Sequence, residues 1–259
     1  MPGTTSPARR VVFLHDADVV PGLVGALRPL SESVDLWVPR HPGFGEFDEV
    51  CEDWDSVSDL AMWHLSRLDT EVAGPVHLIG AGFGGWVALE MGVRRPDRFA
   101  SLTLVSPFGV KLSGRDETDF ADLLLLDPEE LLELGWADSS RATGIRMPGY
   151  PPDEDDEADA RSFADRAALA RYGWRPFMYD PRLARWLGVL TMPRLVLAGD
   201  SDRMLAPGHS RRLADRIGAE FVELADCGHF PYLEQPDAFY SAVLGFLSAH
   251  DEVGKGDAA

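Results

Sequence analysis

The sequence has 259 residues, 45% of them hydrophobic, with a formal net charge of −19 and an isoelectric point near 4.6. This length can bury a large core as one α/β domain with an insertion. The acidic excess argues against nucleic acid and anionic membrane surfaces as partners and favours a neutral small-molecule ligand. No segment is long and apolar enough for a membrane span. Two cysteines far apart in the sequence fit a reducing cytoplasm, which is the location we expect.

Apolar strand segments alternate with helical segments from residue 11 to residue 105, which predicts a mostly parallel sheet. The first strand segment, residues 11–14, runs into His15 and Asp16. A glycine-rich loop at residues 40–45 follows the next strand segment. Residues 1–10 contain no apolar stretch of the kind found in signal peptides.

The third strand segment leads through a glycine-dense turn into a helix that is predicted to end near Arg94. The turn reads Gly80-x-Gly82-x-Gly84, and two interpretations compete for it. A strand, a sharp turn and a helix carrying G-x-S-x-G form the nucleophile elbow of a hydrolase, here with glycine in place of serine. Gly80-x-Gly82-x-x-Gly85 also matches a dinucleotide-binding fingerprint.

The dinucleotide interpretation requires a carboxylate at the end of the next strand, about 20 residues later, to bind the ribose. The next predicted strand, residues 100–105, ends in Ser106-Pro107-Phe108-Gly109 without an acid. The motif also follows two earlier strands, which a simple dinucleotide-binding domain would not place ahead of it. We therefore keep nucleotide binding only as a minor hypothesis.

Regular alternation stops after residue 110, and the interval up to about residue 190 is predicted to be helical and irregular. One helix is well marked: Asp127 is a predicted N-cap, Pro128 suits the first helical position and Gly135 marks the end. The acidic run at residues 153–157 is predicted to be a solvated loop.

The last part of this interval is rich in aromatic residues, most of which we expect to pack the insertion onto the sheet. We predict that Trp174 and Tyr179 line a pocket, and an aromatic pocket with few polar groups would suit a small hydrophobic molecule. The aromatic side chains are Phe163, Tyr172, Trp174, Phe177, Tyr179 and Trp186.

Two further motifs close the sequence. A strand at residues 193–199 leads into Asp200-Ser201-Asp202, and a later loop reads Cys227-Gly228-His229-Phe230-Pro231. Together with the three motifs above, and in this order, they resemble the α/β-hydrolase family over nearly all the chain. The resemblance implies a core formed by residues 1–110 and 191–259, and a helical cap formed by residues 111–190.

Residue by residue, the resemblance puts Asp202 in the place of the catalytic acid, His229 in that of the base and Gly82 in that of the nucleophile. It puts the backbone N–H groups of Ala17 and Phe83 in the oxyanion hole. The order nucleophile, acid, histidine is the one that this fold uses.

Three residues depart from the family pattern. Gly82 lacks the nucleophilic hydroxyl, and Phe47 stands where the family commonly has serine. Asp16 stands where the family commonly has glycine, and we expect His15 and Asp16 to be among the residues of the predicted pocket. A carboxylate that faced a developing oxyanion would oppose its stabilisation. Alternatively, Asp16 points to solvent or caps a turn.

A glycine at the nucleophile position is structurally favourable, because it relieves backbone strain of about 1–3 kcal/mol. Its chemical effect is severe, since a serine triad that has lost one member retains only roughly 10³–10⁴-fold acceleration. An intact pair of His229 and Asp202 would still be a competent general acid–base. Cys227 and Cys51 are poor substitute nucleophiles, and Cys227 is expected to be buried and structural.

Four hypotheses follow. The first is an enzyme with serine-independent chemistry, in which His229 and Asp202 perform acid–base work on a small hydrophobic substrate. The second is a serine hydrolase inactivated by replacement of the serine at position 82, and the third is a ligand-binding pseudoenzyme. Nucleotide binding is the fourth. No histidine and cysteine cluster has the spacing of a metal site, so we expect neither a metal nor a cofactor.

Overall fold

The computed structural model describes residues 9–17, 23, 25–45, 52–142 and 157–250. Within these ranges the centre of the protein is a sheet of six strands, all parallel, in the order β2-β1-β3-β4-β5-β6. The strands are β1 (Arg10–Leu14), β2 (Asp35–Trp37), β3 (Val76–Ala81), β4 (Phe99–Val105), β5 (Arg194–Gly199) and β6 (Glu220–Leu224). The predicted α/β-hydrolase fold with a mostly parallel sheet is confirmed.

The burial of the strands follows their place in the sheet. The central strands β3 and β4 are buried almost throughout, because helices cover both faces of a parallel sheet. The edge strands β2 and β6 keep half-exposed residues. The helices are α1 (Arg28–Ser31), α2 (Val57–Glu71), α3 (Gly82–Arg94), α4 (Pro128–Gly135), α5 (Glu157–Gly173), α6 (Leu183–Trp186), α7 (His209–Ile217), α8 (Pro231–Glu234) and α9 (Pro236–Ala249). None of these described helices is both long and apolar enough to cross a membrane.

Helix α3 begins directly at Gly82, without a connecting loop after β3, and ends at Arg94 as predicted. Its first turn lies against the end of β1. A Cβ at Gly84 would overlap the backbone carbonyl of Leu14, so only glycine permits this approach. The small residue therefore brings the turn after β1 beside the turn after β3.

Between β4 and β5 the described residues form helices and short helical turns but no strand. This agrees with a helical insertion, whereas its predicted limits at residues 111 and 190 stay a prediction. Helix α4 has the predicted cap: the Asp127 side chain accepts a hydrogen bond from the N–H of Glu130, and the Glu130 side chain accepts one from the N–H of Asp127. Of the acidic run at residues 153–157 that was predicted to be a loop, residues 153–156 lie outside the described residues, as do Phe47 and Cys51, whereas Glu157 is the first residue of helix α5.

The strand order has a switch between β1 and β3, since the chain moves to one side of β1 to form β2 and then to the other side to form β3. In open parallel sheets, ligands bind at the carboxyl ends of the strands at such a switch point. The turns that follow β1 and β3 meet there, and the loops that follow β5 and β6 lie at the same edge of the sheet.

The role of Asp127 as the N-cap of helix α4 can be tested by substitution. Asp127→Ala removes the acceptor for the Glu130 N–H and should lower the free energy of unfolding by about 1 kcal/mol. Glu133→Ala is the matched control, because this exposed carboxylate lies in the second half of the same helix and should change stability by less than about 0.5 kcal/mol. Urea unfolding followed by far-ultraviolet circular dichroism measures both, and equal effects would contradict the capping role.

Candidate active site

The loop after β6 places His229 at the carboxyl edge of the sheet. Its backbone N–H donates a 2.6 Å hydrogen bond to the carbonyl of Gly135, the last residue of α4. Its ring packs on Phe108, with a centroid distance of 5.1 Å, and its edge meets Phe230. The imidazole is thus held from the backbone and from both sides, and its side chain is fully buried.

Asp202 lies where the acid was predicted, in the turn after β5, and it reaches the histidine. Its Oδ2 is 2.9 Å from Nδ1 of His229, and its Oδ1 accepts a 3.0 Å hydrogen bond from the N–H of Met204. The second bond holds the carboxylate in place, so that Oδ2 orients the imidazole. The two predicted residues, 27 positions apart in the sequence, are therefore in direct contact.

Asp16 is buried and points into the site. Its Oδ1 accepts hydrogen bonds from the backbone N–H groups of Ala17, at 2.7 Å, and Phe83, at 2.9 Å. These are the two donors that the sequence predicts for the oxyanion hole, and here both bind a carboxylate of the protein itself. The Asp16 side chain therefore faces the oxyanion donors and does not point to solvent.

The second oxygen of Asp16, Oδ2, lies 3.2 Å from Nε2 of His229. The N–H of Nε2 is not aligned on this oxygen well enough for a hydrogen bond, so the contact is an ion pair at close range. His229 consequently lies between two carboxylates, with Asp202 at one ring nitrogen and Asp16 at the other.

Gly82 makes the position of Asp16 possible. Its φ is +47°, in the left-handed region that favours glycine. A Cβ placed on Gly82 would overlap all three atoms of the Asp16 carboxylate. The carboxylate therefore occupies the space in which a side chain at position 82 would begin.

The charges around His229 change its proton affinity. Burial lowers the pKa of His229, but the charge of Asp202 and the contacts with both carboxylates outweigh it and raise the pKa to about 10. The ring is therefore an imidazolium at neutral pH.

A chain of three buried histidines lies behind Asp16. The backbone N–H of His41 donates to Nε2 of His15 at 3.1 Å, so Nδ1–H of His15 donates to the carbonyl of Asp16 at 2.7 Å. Nε2–H of His41 donates to the carbonyl of His15 at 3.0 Å, and Nδ1 of His41 accepts from Nε2–H of His64 at 2.8 Å. These bonds hold the turn that carries the carboxylate.

The three histidines are neutral, because each is fully buried among other basic groups. Burial lowers the pKa of His15 to about 4 and that of His64 to about 3, and burial with the neighbouring histidines lowers the pKa of His41 well below its usual value. The sequence patterns around His15, His41 and His64 carried no signal for this network, since the three residues come from different elements.

The other predicted pocket residues lie elsewhere or at the margin. Trp174 is 45% exposed and lines an open apolar groove with residues 124–127 and Phe163. Tyr179 pairs through its backbone with Gly109, next to the Phe108 ring that packs on His229. Of these two, only Tyr179 is therefore connected to the site by the contacts of the described residues.

Cys227 is buried, two residues before His229, and its thiol contacts the carbonyl of Gly228. Burial raises the pKa of this thiol far above its usual range, with further contributions from nearby carboxylates such as Glu234. A thiol that stays protonated is a poor nucleophile. Cys227 agrees with the structural role expected of it.

Comparison with known proteins identifies the class. Residues 11–242 match the sequence profile of the alpha/beta hydrolase family. The lipase LipV of Mycobacterium tuberculosis is 36% identical over 207 residues, which cover 74% of each chain. The 2-hydroxymuconate semialdehyde hydrolase of a Pseudomonas species is 28% identical over 244 residues, covering 86% of this chain and 79% of that protein.

Solved structures agree with this assignment at the level of the fold. A meta-cleavage product hydrolase, CumD, superimposes with a TM-score of 0.74 over 93% of this chain and 91% of its own, at 20% identity. This protein belongs to the α/β-hydrolase family. In its candidate active site, Asp16 contacts both predicted oxyanion donors and His229.

The packing of Asp16 on Gly82 predicts a strong energetic coupling. Gly82→Ala should destabilise the protein by more than the roughly 1–3 kcal/mol of backbone strain, because the new Cβ displaces the buried carboxylate. In an Asp16→Gly background the same change should cost at least about 1 kcal/mol less. A double-mutant cycle of unfolding free energies measures the difference, and additive effects would show that the two positions do not share space.

The ion pairs of His229 predict a loss of stability at alkaline pH. Because the folded-state pKa of about 10 is higher than the ordinary value of 6.5, the stabilisation is fully present below pH 6.5 and is lost as the pH rises through about 10. The difference in unfolding free energy between the wild type and His229→Gln should therefore shrink between pH 7 and pH 10. His250→Gln, at the end of α9, is the control and should show no such change.

Proposed function

We propose that this protein is an enzyme that uses His229 as its general acid and base, without a serine nucleophile, on a small neutral hydrophobic molecule. The observation that supports this most is the position of the imidazolium between Asp202 and Asp16, beside two backbone N–H donors. Such an arrangement supplies an oriented proton donor, a carboxylate and a fixed electrostatic environment in one buried place.

Hydrolysis is the reaction type that the relatives favour. The proteins reported above are named as a lipase and as hydrolases of a semialdehyde and of meta-cleavage products. All three names belong to enzymes that cleave a bond with water. We expect this protein to retain that overall reaction type while the attacking group differs.

The packing at Gly82 disfavours the alternative of a serine hydrolase inactivated at this position. A serine there would collide with the Asp16 carboxylate, which in turn is held by two hydrogen bonds and one ion pair. Restoring the hydroxyl alone would leave the oxyanion donors occupied. Gly82 and Asp16 fit each other as a pair, which supports chemistry that is native to this site.

The surroundings of the site support a neutral hydrophobic substrate. Two carboxylates and one imidazolium disfavour an anionic ligand. Aromatic rings pack around Phe83 and against the histidine: Phe44 and Trp86 contact the ring of Phe83, and Phe108 packs on His229. The phenylalanine rings offer only apolar contacts, which fits an apolar small molecule.

Turnover of a panel of neutral substrates tests the proposal. The panel contains aryl esters, thioesters, terminal epoxides and primary alkyl bromides. His229→Gln should reduce kcat/KM by roughly 10²–10⁴-fold on any substrate that is turned over, because it removes the acid–base group. His250→Gln, the matched control, should retain full activity. Unchanged turnover by His229→Gln would refute the proposal, and an inactive wild type that still binds these molecules would favour a pseudoenzyme.

A fluorophosphonate probe tests serine independence separately. The wild type should turn over substrate and yet remain unlabelled, and Gly82→Ser should also remain unlabelled because its hydroxyl lacks free oxyanion donors. Gel fluorescence after labelling, with circular dichroism to confirm folding, gives the result. Strong labelling of folded Gly82→Ser would favour the inactivated serine hydrolase.

A further inference from the structure

We infer that the Asp16 carboxylate is the nucleophile of this site, with Oδ2 in the place of a serine hydroxyl, and that the substrate has a saturated electrophilic carbon. The inference rests on the proposed function, because it uses His229 as the acid and base. It adds the attacking atom, a covalent intermediate and a substrate class.

The position of Oδ2 of Asp16 supports its role as the nucleophile. Oδ2 of Asp16 lies where a side chain at Gly82 would begin, and it is 3.2 Å from Nε2 of His229. A nucleophile in hydrogen-bond reach of a base that is oriented by a third group is the general pattern of covalent catalysis. Asp202 orients the base here, as its 2.9 Å contact with Nδ1 shows. The three roles are therefore all filled, although the nucleophile comes from the turn after β1.

The two oxygens of Asp16 also have different contacts, which assign them different roles. Oδ1 accepts from Ala17 and Phe83, whereas Oδ2 has no backbone donor among its described contacts. The two N–H groups fix the plane of the carboxylate and leave Oδ2 to attack. If Oδ2 forms an ester, Oδ1 becomes the ester carbonyl oxygen and remains on both donors. These donors are thus placed to stabilise an oxyanion formed on Asp16, not on a substrate.

Because Oδ1 of Asp16 occupies both backbone N–H donors, the site favours one class of substrate. Attack on an ester or amide would create an oxyanion on the substrate, for which the two donors are not free. Displacement at a saturated carbon creates charge only on the leaving group, and the imidazolium of His229 can protonate a leaving alkoxide. The substrate class is therefore a neutral apolar molecule with a strained or activated carbon–oxygen or carbon–halogen bond, of which a terminal aryl epoxide is the representative.

The reaction balances in two steps. Oδ2 of Asp16 attacks the epoxide carbon, the carbon–oxygen bond of the ring breaks, and the alkoxide takes a proton from His229. Neutral His229 then takes a proton from water as the water oxygen attacks Cγ of Asp16, and the oxyanion forms on Oδ1. The ester bond between Cγ and Oδ2 breaks, the leaving alkoxide receives the proton from His229, and the new carboxylic acid returns a proton to His229. The net change is epoxide plus water to diol.

Isotope labelling of the wild type tests the inference without any variant. The enzyme turns over styrene oxide in water enriched in the heavy oxygen isotope, and mass spectrometry then compares the peptide that contains Asp16 with all others. We expect heavy oxygen in the Asp16 carboxylate, and a first-turnover diol whose new oxygen comes from the enzyme. Heavy oxygen in the diol alone would mean direct attack by water and would overturn the inference.

A trapping experiment supplies the second measurement. His229→Gln cannot activate water, but it still permits displacement of bromide, which departs without a proton. With a primary alkyl bromide we expect the alkyl group to accumulate on Asp16, and Asp16→Asn, checked for folding, should abolish both labelling and turnover. Asp237→Asn, an exposed carboxylate on α9, is the control and should behave as the wild type.

These results separate the inference from the proposed function. If esters alone are turned over and the reaction requires His229, the proposed function stands and the nucleophilic role of Asp16 is refuted. If styrene oxide is turned over without isotope in Asp16, the same conclusion follows. If His229→Gln keeps full turnover, the proposed function itself fails.

Discussion

The arrangement around the Asp16 carboxylate determines what the rest of the site can do. One oxygen accepts from two backbone N–H groups, the other lies beside a protonated histidine, and both positions require that residue 82 has no side chain. A buried carboxylate is costly unless it is paired and hydrogen-bonded, and here it is both. Gly82 and His229 therefore constrain Asp16, because a side chain at position 82 would clash with the carboxylate and loss of His229 would remove its ion-pair partner.

The sheet and the buried histidines hold this arrangement in place. Neighbouring strands β1 and β3 bring their terminal turns together, and Gly84 lets the first turn of α3 lie against Leu14. On the other side, neutral His15, His41 and His64 hold the backbone of the Asp16 turn through bonds with assigned donors and acceptors. A buried polar network whose bonds are all made is rigid, so the carboxylate is presented in one orientation.

The site keeps the arrangement of groups that the fold predicts, with Asp16 added to it. The acid and the histidine occupy the places expected in an α/β hydrolase, and the two backbone donors are also present. Both donors bind the carboxylate of Asp16. With the donors bound to the protein's own carboxylate, the electrostatic stabilisation of the fold is directed at Asp16, and function must be argued from this site rather than from the fold.

The fold and much of the site could be predicted from local patterns in the amino-acid sequence. Strand and helix alternation, the cap at Asp127 and the local patterns around Asp202 and His229 are short-range signals, and the structure has these elements where the patterns placed them. The orientation of Asp16 could not be predicted in this way, because it depends on long-range contacts. Its acceptor bond from Phe83 spans 67 residues and depends on the empty space above Gly82. No local pattern encodes a contact whose partners meet only when two strands pair.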